Sequence, residues 1–255
     1  MRKIDLNSDL GESFGPWSMG DDVTMMSLVT SANVACGGHA SDPETMFKTL
    51  SSAAEHGVVI GAHPGYPDRE GFGRRVIPMT EGEIERVVAG QIGALMGIAA
   101  VAGARVRYVK PHGALGNLAA DDRGVADAIA RAVRAISADL AVLAISGTEL
   151  EPASEAAHLQ VFSEIFADRA YLNTGRLVPR SRPGALIEDH DAAGDRLLKF
   201  LQSGLMATLE GGAIPLQAHS ICVHGDSPHA VTMARTVRAR LTDQSVEVAS
   251  FLGEP

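Results

Sequence analysis

Short runs rich in Val, Ile and Ala recur along the chain and alternate with longer amphipathic stretches. The short runs predict strands near residues 3–7, 32–36, 58–62, 107–110, 140–145, 161–166, 220–223 and 246–250. Helix start signals fall between them. Asp42-Pro43 places a capping acid before a first-turn proline, and Ser227-Pro228 repeats the device. Thr80 and Glu83 have capping-box spacing ahead of the apolar stripe Ile84, Val87, Val88, Ile92 and Leu95. Strands alternating with helices call for a parallel sheet, because parallel neighbours need a crossover. In 255 residues, about seven or eight parallel strands suit a closed (β/α) barrel better than an open sheet. With no repeat, low-complexity tract or linker, the expectation is an α/β fold in which residues 1–255 form one barrel domain.

Composition narrows the function classes. Twenty-two basic against 31 acidic side chains leave a net charge of -9, a balance that repels phosphate backbones and anionic lipid and argues against nucleic-acid and membrane partners. The apolar run at 92–104 is shorter than the ~20 residues a membrane span needs, and the first residues show no signal core. Two cysteines, Cys36 and Cys222, make no disulfide framework and fit a reducing, cytoplasmic setting.

The chemistry-bearing residues are registered with strand ends. The first strand gives Asn7-Ser8-Asp9-Leu10-Gly11-Glu12 and the second Asn33 to His39. The third ends in His63-Pro64-Gly65-Tyr66-Pro67-Asp68 and the fourth in Lys110-Pro111-His112-Gly113. The sixth contributes Glu164 and then Asp168-Arg169, and the seventh closes with His224-Gly225-Asp226. In a parallel α/β fold the C-terminal strand ends share one rim, so these groups converge on one mouth. A single histidine after a strand is more often a core or cap residue, and His56, His158, His190 and His219 are read that way. The shared rim favours a functional role for His39, His63, His112 and His224. Lys110 closes an apolar strand, where burial demands an anionic partner or a depressed pKa. Asn7, Asn33 and Asn117 could orient amides or merely favour turns.

Residues 169–187 break the strand–helix rhythm. Gly175, Pro179, Pro183 and Gly184 stiffen a segment that carries Arg169, Arg176, Arg180 and Arg182, which reads as an anion clamp or lid.

Carboxylates, imidazoles and a lysine at one mouth suit acid–base work on a carbonyl or amide. They could equally hold one divalent metal, assembled across strands, with Asp9, His39 and His63 as candidate ligands. The two commonest nucleotide cradles and the serine-hydrolase elbow are absent from the sequence.

The segments Asp5 to Gly15, Ala32 to Ala40, Gly61 to Asp68, Lys110 to Leu115, Glu164 to Tyr171, Leu177 to Ser181 and Cys222 to Asp226 together resemble the LamB/YcsF family, the A subunits of prokaryotic ATP-dependent 5-oxoprolinase. The resemblance spans the chain. It implies a distorted barrel of glycoside hydrolase/deacetylase type and hydrolytic opening of the 5-oxo-L-proline lactam to L-glutamate. It also implies that partner subunits B and C handle ATP. On that resemblance the candidate catalytic residues are Asp9 or Glu164 as base, His63 or His112 as proton donor, and Lys110. Arg180 would join Lys110 in holding a carboxylate or phosphorylated intermediate. Asn7, Glu12, Asn33, His39, Asp168, Arg169, His224 and Asp226 are candidate substrate-binding residues, and self-association is a further partner expectation. Gly38 stands where the family usually has Phe and Gly116 where it usually has Tyr, which predicts a wider mouth. Competing readings are a stand-alone metal-dependent amidohydrolase or deacetylase, and a non-catalytic carbohydrate- or metabolite-binding subunit.

Overall fold

In the computed structural model, which describes residues 3–226 and 229–253, parallel strands close on themselves into a barrel. The ring consists of β1 (Lys3–Leu10), β2 (Ser31–Ala35), β3 (Val59–His63), β4 (Val106–Val109), β5 (Ala141–Ile145), β6 (Val161–Phe166) and, after a small outlying hairpin β7 (Leu205–Ala207) and β8 (Ala213–Pro215), β9 (Ser220–Cys222). β9 pairs with both β6 and β1, which closes the seven-stranded circle. The expected strand at 246–250 shrinks to β10 (Glu247–Val248). Its reason is geometric: β9 already occupies Asp5 to Asn7 on that edge of β1, so only Lys3 and Ile4 remain to pair with β10.

The helices pack outside: α1 (Asp22–Met26), α2 (Pro43–Glu55), α3 (Glu81–Val101), α4 (Gly113–Ala119), α5 (Arg123–Ile136), α6 (Leu150–Ala156), α7 (His190–Ser203) and α8 (Ala230–Asp243). Asp42 caps α2 by accepting from the N–H groups of Glu44 and Thr45, and Thr80 forms the expected capping box with Glu83. The start signal at Ser227-Pro228 lies outside the described residues. By length and composition α3 could cross a membrane, but its Ile84, Val88, Ile92 and Leu95 face is buried against the barrel.

Period-two alternation sorts the inward side chains into layers. The floor is apolar: Val59, Tyr108, Ala141 and Leu143 pack with Phe162 and with Phe251 and Leu252 from beyond β10. The middle layer is polar. Asp5, with no solvent exposure, accepts hydroxyl hydrogen bonds from Thr30 and Ser31 at 2.6 Å each and from Ser220. Gly61 permits the next contact, since a Cβ there would sit 2.3 Å from the Tyr108 ring. The space lets Tyr108 cross the barrel and donate its hydroxyl to Asn33 Oδ1 at 2.6 Å.

The 169–187 segment is a folded excursion with antiparallel bridges Arg169–Leu186 and Tyr171–Leu177 and a small core of Ala170, Val178 and Ala185. Its arginines diverge. Arg176 turns away to Asp121 and the Gly147 carbonyl, and Arg182 lies 4.0 Å from Glu210 on the surface. Only Arg169 and Arg180 remain for an anion clamp.

Burial pushes the Asp5 carboxyl up to about 6, against the three hydroxyl hydrogen bonds that favour its charge. An unfolded aspartate titrates near 3.9, so the folded state holds the extra proton between these values. Stability therefore falls as pH rises from about 4 to about 6, by about 2–3 kcal/mol, and is level above. Asp5→Asn should remove that slope. Urea unfolding of both proteins at pH 4, 5, 6 and 7 checks it, and parallel curves would refute the assignment.

Candidate active site in the barrel throat

The alternation that builds the middle layer also builds the site above it. Asp9 follows Asn7 inward on β1, Lys110 follows Tyr108 just past β4, and Glu164 sits inward on β6. Lys110 Nζ lies 3.0 Å from Asp9 Oδ1, 3.1 Å from Glu164 Oε2, 3.2 Å from Asn7 Oδ1 and 3.1 Å from Cys222 Sγ. The ammonium is 3% exposed as a residue, yet it stays charged. Burial alone would depress its pKa, but Asp9, Cys222 and Glu164 around it raise it well above the ordinary lysine value. Of the two ways to tolerate a buried lysine, the anionic partner is the one present.

The carboxylates around the mouth differ in state. Burial opposes charge on Asp9, but His63 and Lys110 outweigh it and hold its carboxyl well below the usual range. Asn33 Nδ2 adds a hydrogen bond at 2.8 Å. Glu12 sits apart from the ammonium; burial and repulsion from Asp9 push it up to about 8. Glu164 is also raised, mainly by burial, with Lys110 working against the shift.

Three imidazoles gather over the throat. His39 and His112 stack face to face with centroids 3.6 Å apart, and His63 meets them edge-on. Glu12 Oε1 is 3.1 Å from His39 Nε2 and 3.6 Å from His112 Nδ1. Burial, together with the neighbouring imidazoles, lowers the pKa of His39 and His112 well below the ordinary value, so both rings are neutral. One donor atom from each of Glu12, His39, His63 and His112 lies within 4.8 Å of the others, an arrangement that could hold a metal ion. Of the metal ligands expected from the sequence, His39 and His63 fall in this group. Asp9 groups instead with Cys222 and His224.

The rim is basic. Arg74 pairs with Asp226 at 2.5 Å, and His224 with Asp168 at 2.8 Å. Arg169 is buried, donates to the Val178 carbonyl at 2.7 Å and leaves Nε without a partner among the described residues. Burial and the proximity of Arg180 lower its pKa to about 10. Arg180 is half-buried; burial and Arg74 lower its pKa, while Asp226, Asp168 and Asp9 attract it. Two mutually repelling guanidiniums at one rim suit an anion.

The residues expected to line the mouth converge here except Asn117, which is exposed on α4, and Asp68, which turns to Gly71 N–H and Arg75. The sequence reading missed Tyr108, Cys222, Arg74 and Gln91. The first two lie two residues before Lys110 and His224, so strict alternation would have found them. Gln91 lies mid-helix in α3, and no pattern signals it.

Gly38 and Gly116 do not widen the mouth. A Cβ at Gly38 would fall 2.3 Å from Gln91 Oε1. The Gln91 side chain fills that space, accepting from Gly65 N–H at 3.1 Å and donating to Gly65 C=O at 2.7 Å. At Gly116 a Cβ would sit 2.8 Å from the Pro111 carbonyl.

A buried acid–base cluster at the mouth of a parallel barrel is the arrangement of a barrel enzyme, and comparison with known proteins narrows the class. The profile of the LamB/YcsF family matches residues 4–254, and the chain belongs to that family. It is 51% identical over 251 residues to the A subunit of 5-oxoprolinase from Azorhizobium caulinodans, covering 98% of this chain and 99% of that protein. It is 52% identical over 250 residues to the protein of the same name from Gluconobacter oxydans, covering 98% of each. Among solved structures it is similar to a lactam utilization protein from Thermus thermophilus, with a TM-score of 0.91 and 42% identity over 97% of this chain and 99% of that one. A putative cellobiose-phosphate cleavage protein from Enterococcus faecalis shares the fold at a TM-score of 0.58 and 14% identity, over 98% of each chain.

Gly38→Ala should cost about 1–3 kcal/mol by overpacking, and Gln91→Ala should reduce that cost. A double-mutant cycle by urea unfolding reads the coupling. Additive effects would show that the two positions do not share the space.

Proposed function

We propose that this chain is the lactam-opening subunit of an ATP-dependent 5-oxoprolinase, converting 5-oxo-L-proline to L-glutamate with partner subunits B and C. The observation that carries the reading is the throat itself: an ionised Asp9 and a protonated Lys110 within hydrogen-bonding reach, with the His63 and His112 imidazoles beside them. The names of relatives about 50% identical over nearly the whole chain support it.

A lactam is held closed by amide resonance, and phosphorylation of its oxygen by the partners, at the expense of ATP, removes that resonance. Water can then add to the ring carbon, the C–N bond breaks as the nitrogen takes a proton, and a second water hydrolyses the acyl phosphate left behind to the carboxylate and inorganic phosphate. Asp9 suits the base, since its Oδ2 faces His63 whereas Oδ1 is held by Lys110 and Asn33. Glu164, 1% exposed and tied to Lys110 and Asn7, is the less accessible candidate. His63 or His112, once protonated on its inward nitrogen, gives the leaving nitrogen its proton. Lys110 stabilises the negative charge that develops on oxygen, and Arg180 with Arg169 receives the substrate carboxylate or the phosphoryl group. ATP enters through the partners. The free, buried Cys36 and Cys222 support the cytoplasmic setting. The imidazole–carboxylate cluster favours one second reading, an amidohydrolase that uses a bound metal and no ATP.

Glutamate release measured with ATP and purified partner subunits tests the proposal. Asp9→Asn and His63→Gln should each lower kcat by about 10²-fold or more. Arg180→Met should act mainly on KM. Unchanged kcat in both throat variants would remove the assignment, and full turnover without ATP would favour the second reading.

A further inference from the structure

His63 Nδ1 lies 2.6 Å from the Lys110 carbonyl oxygen, and His112 Nε2 lies 2.9 Å from the Phe72 carbonyl oxygen. A carbonyl only accepts, so each of these ring nitrogens carries the hydrogen. A neutral imidazole has one N–H. With both rings neutral, the remaining nitrogens, His63 Nε2 and His112 Nδ1, present bare lone pairs to each other at 3.0 Å. Neither can donate to the other. Only a positive charge makes that approach favourable.

We propose that a divalent metal ion of the zinc class binds between His63 Nε2, His112 Nδ1 and Glu12 Oε1. Two of the donor spacings fit, and all the donors lie within 4.8 Å of one another. Ligands of a tetrahedral ion with bonds of about 2.0–2.1 Å stand about 3.3–3.4 Å apart. Here His63 Nε2 to His112 Nδ1 is 3.0 Å and His112 Nδ1 to Glu12 Oε1 is 3.6 Å. The surroundings also fit, because metal-binding histidines commonly donate their other N–H to a backbone carbonyl, as both do here. His39 completes the site as the partner that orients the Glu12 carboxylate through Nε2 at 3.1 Å. Its Nδ1 is buried without a partner among the described residues. Asp9 Oδ2, 3.4 Å from His63 Nε2, adds negative charge beside that ligand. Three protein ligands leave a fourth position free, the pattern of catalytic rather than structural zinc. An ion on His63 Nε2 and His112 Nδ1 would take both rings out of the proton-donor role in the lactam reading, and the test of the site reads binding and no turnover.

The full chain, stripped with chelator, is titrated at pH 8 with Zn2+ by calorimetry and with Co2+ by visible absorption. One ion per chain, a four-coordinate Co2+ band and a rise in Tm on adding Zn2+ are expected. Affinity should fall at least tenfold in His63→Gln and in His112→Gln, with circular dichroism confirming that each variant is folded. Should the variants unfold, X-ray absorption of the zinc-loaded wild type decides. A shell of nitrogen and oxygen with imidazole scattering supports the site; a sulfur ligand would move the ion to Cys222 and overturn it. Absence of stoichiometric binding would also overturn it, leaving a shared proton between the two rings. An ion bound by a chain that opens no lactam would refute the proposed activity and leave this site standing.

Discussion

The throat depends on one buried ammonium. Lys110 is the cation within hydrogen-bonding distance of Asp9 and Glu164, two carboxyls that the barrel shuts away from water. Removing one partner from such a buried arrangement typically costs about 3–5 kcal/mol, because the opposite charges are left uncompensated. The network reaches outward through neutral groups. Asn7 and Asn33 bridge lysine and carboxylates, Tyr108 holds Asn33, and Ser220 links Asn7 to Asp5. These contacts come from five different strands or their ends, so the same network that sets the charges also fixes the positions of the strands.

His63 and Lys110 together set Asp9 apart from the other acids. Asp9 and Glu12 are three residues apart and both buried, yet their pKa values move in opposite directions. Asp9 lies beside His63 and the Lys110 ammonium and remains ionised. Glu12 lies across the imidazole stack, feels Asp9 as a like charge and holds its proton to about pH 8. Two carboxyls on one stretch of chain are thereby held in different protonation states by their surroundings. The β1 segment that carries both therefore supplies two distinct chemical states from one short stretch of chain.

Much of this was legible in the sequence. Strand-end registration located Asp9, Glu12, His39, His63, Lys110, His112 and Glu164 at one mouth, because a parallel barrel leaves those positions nowhere else to point. The eighth strand was not legible as a short one: residues 246–250 have strand composition, but the ring closes through β9 before β10 can extend. The four arginines of 169–187 look equivalent in sequence and separate only when the bridges at Arg169–Leu186 and Tyr171–Leu177 set which way each faces. Gln91 was invisible because its role arises from a helix face meeting the β3 loop, a contact between segments 26 residues apart.

The same limit applies more strongly to the imidazoles. Residue type says that His63 and His112 can act as acid, base or ligand; it says nothing about which nitrogen is free. That is decided by two backbone carbonyls, at Lys110 and Phe72, whose positions follow from the β4 terminus and from the turn after Asp68. The Phe72 turn is in turn tied down by Asp68, which accepts from the Gly71 amide and from Arg75. Gly73 continues the constraint, since a Cβ there would sit 2.7 Å from His39 Cβ. Thus Asp68 and Arg75, which do not line the throat, help set the tautomer of a ring inside it. Loop geometry at the rim is part of the chemistry, and the acid–base character of the site is written in main-chain positions as much as in the side chains that carry it.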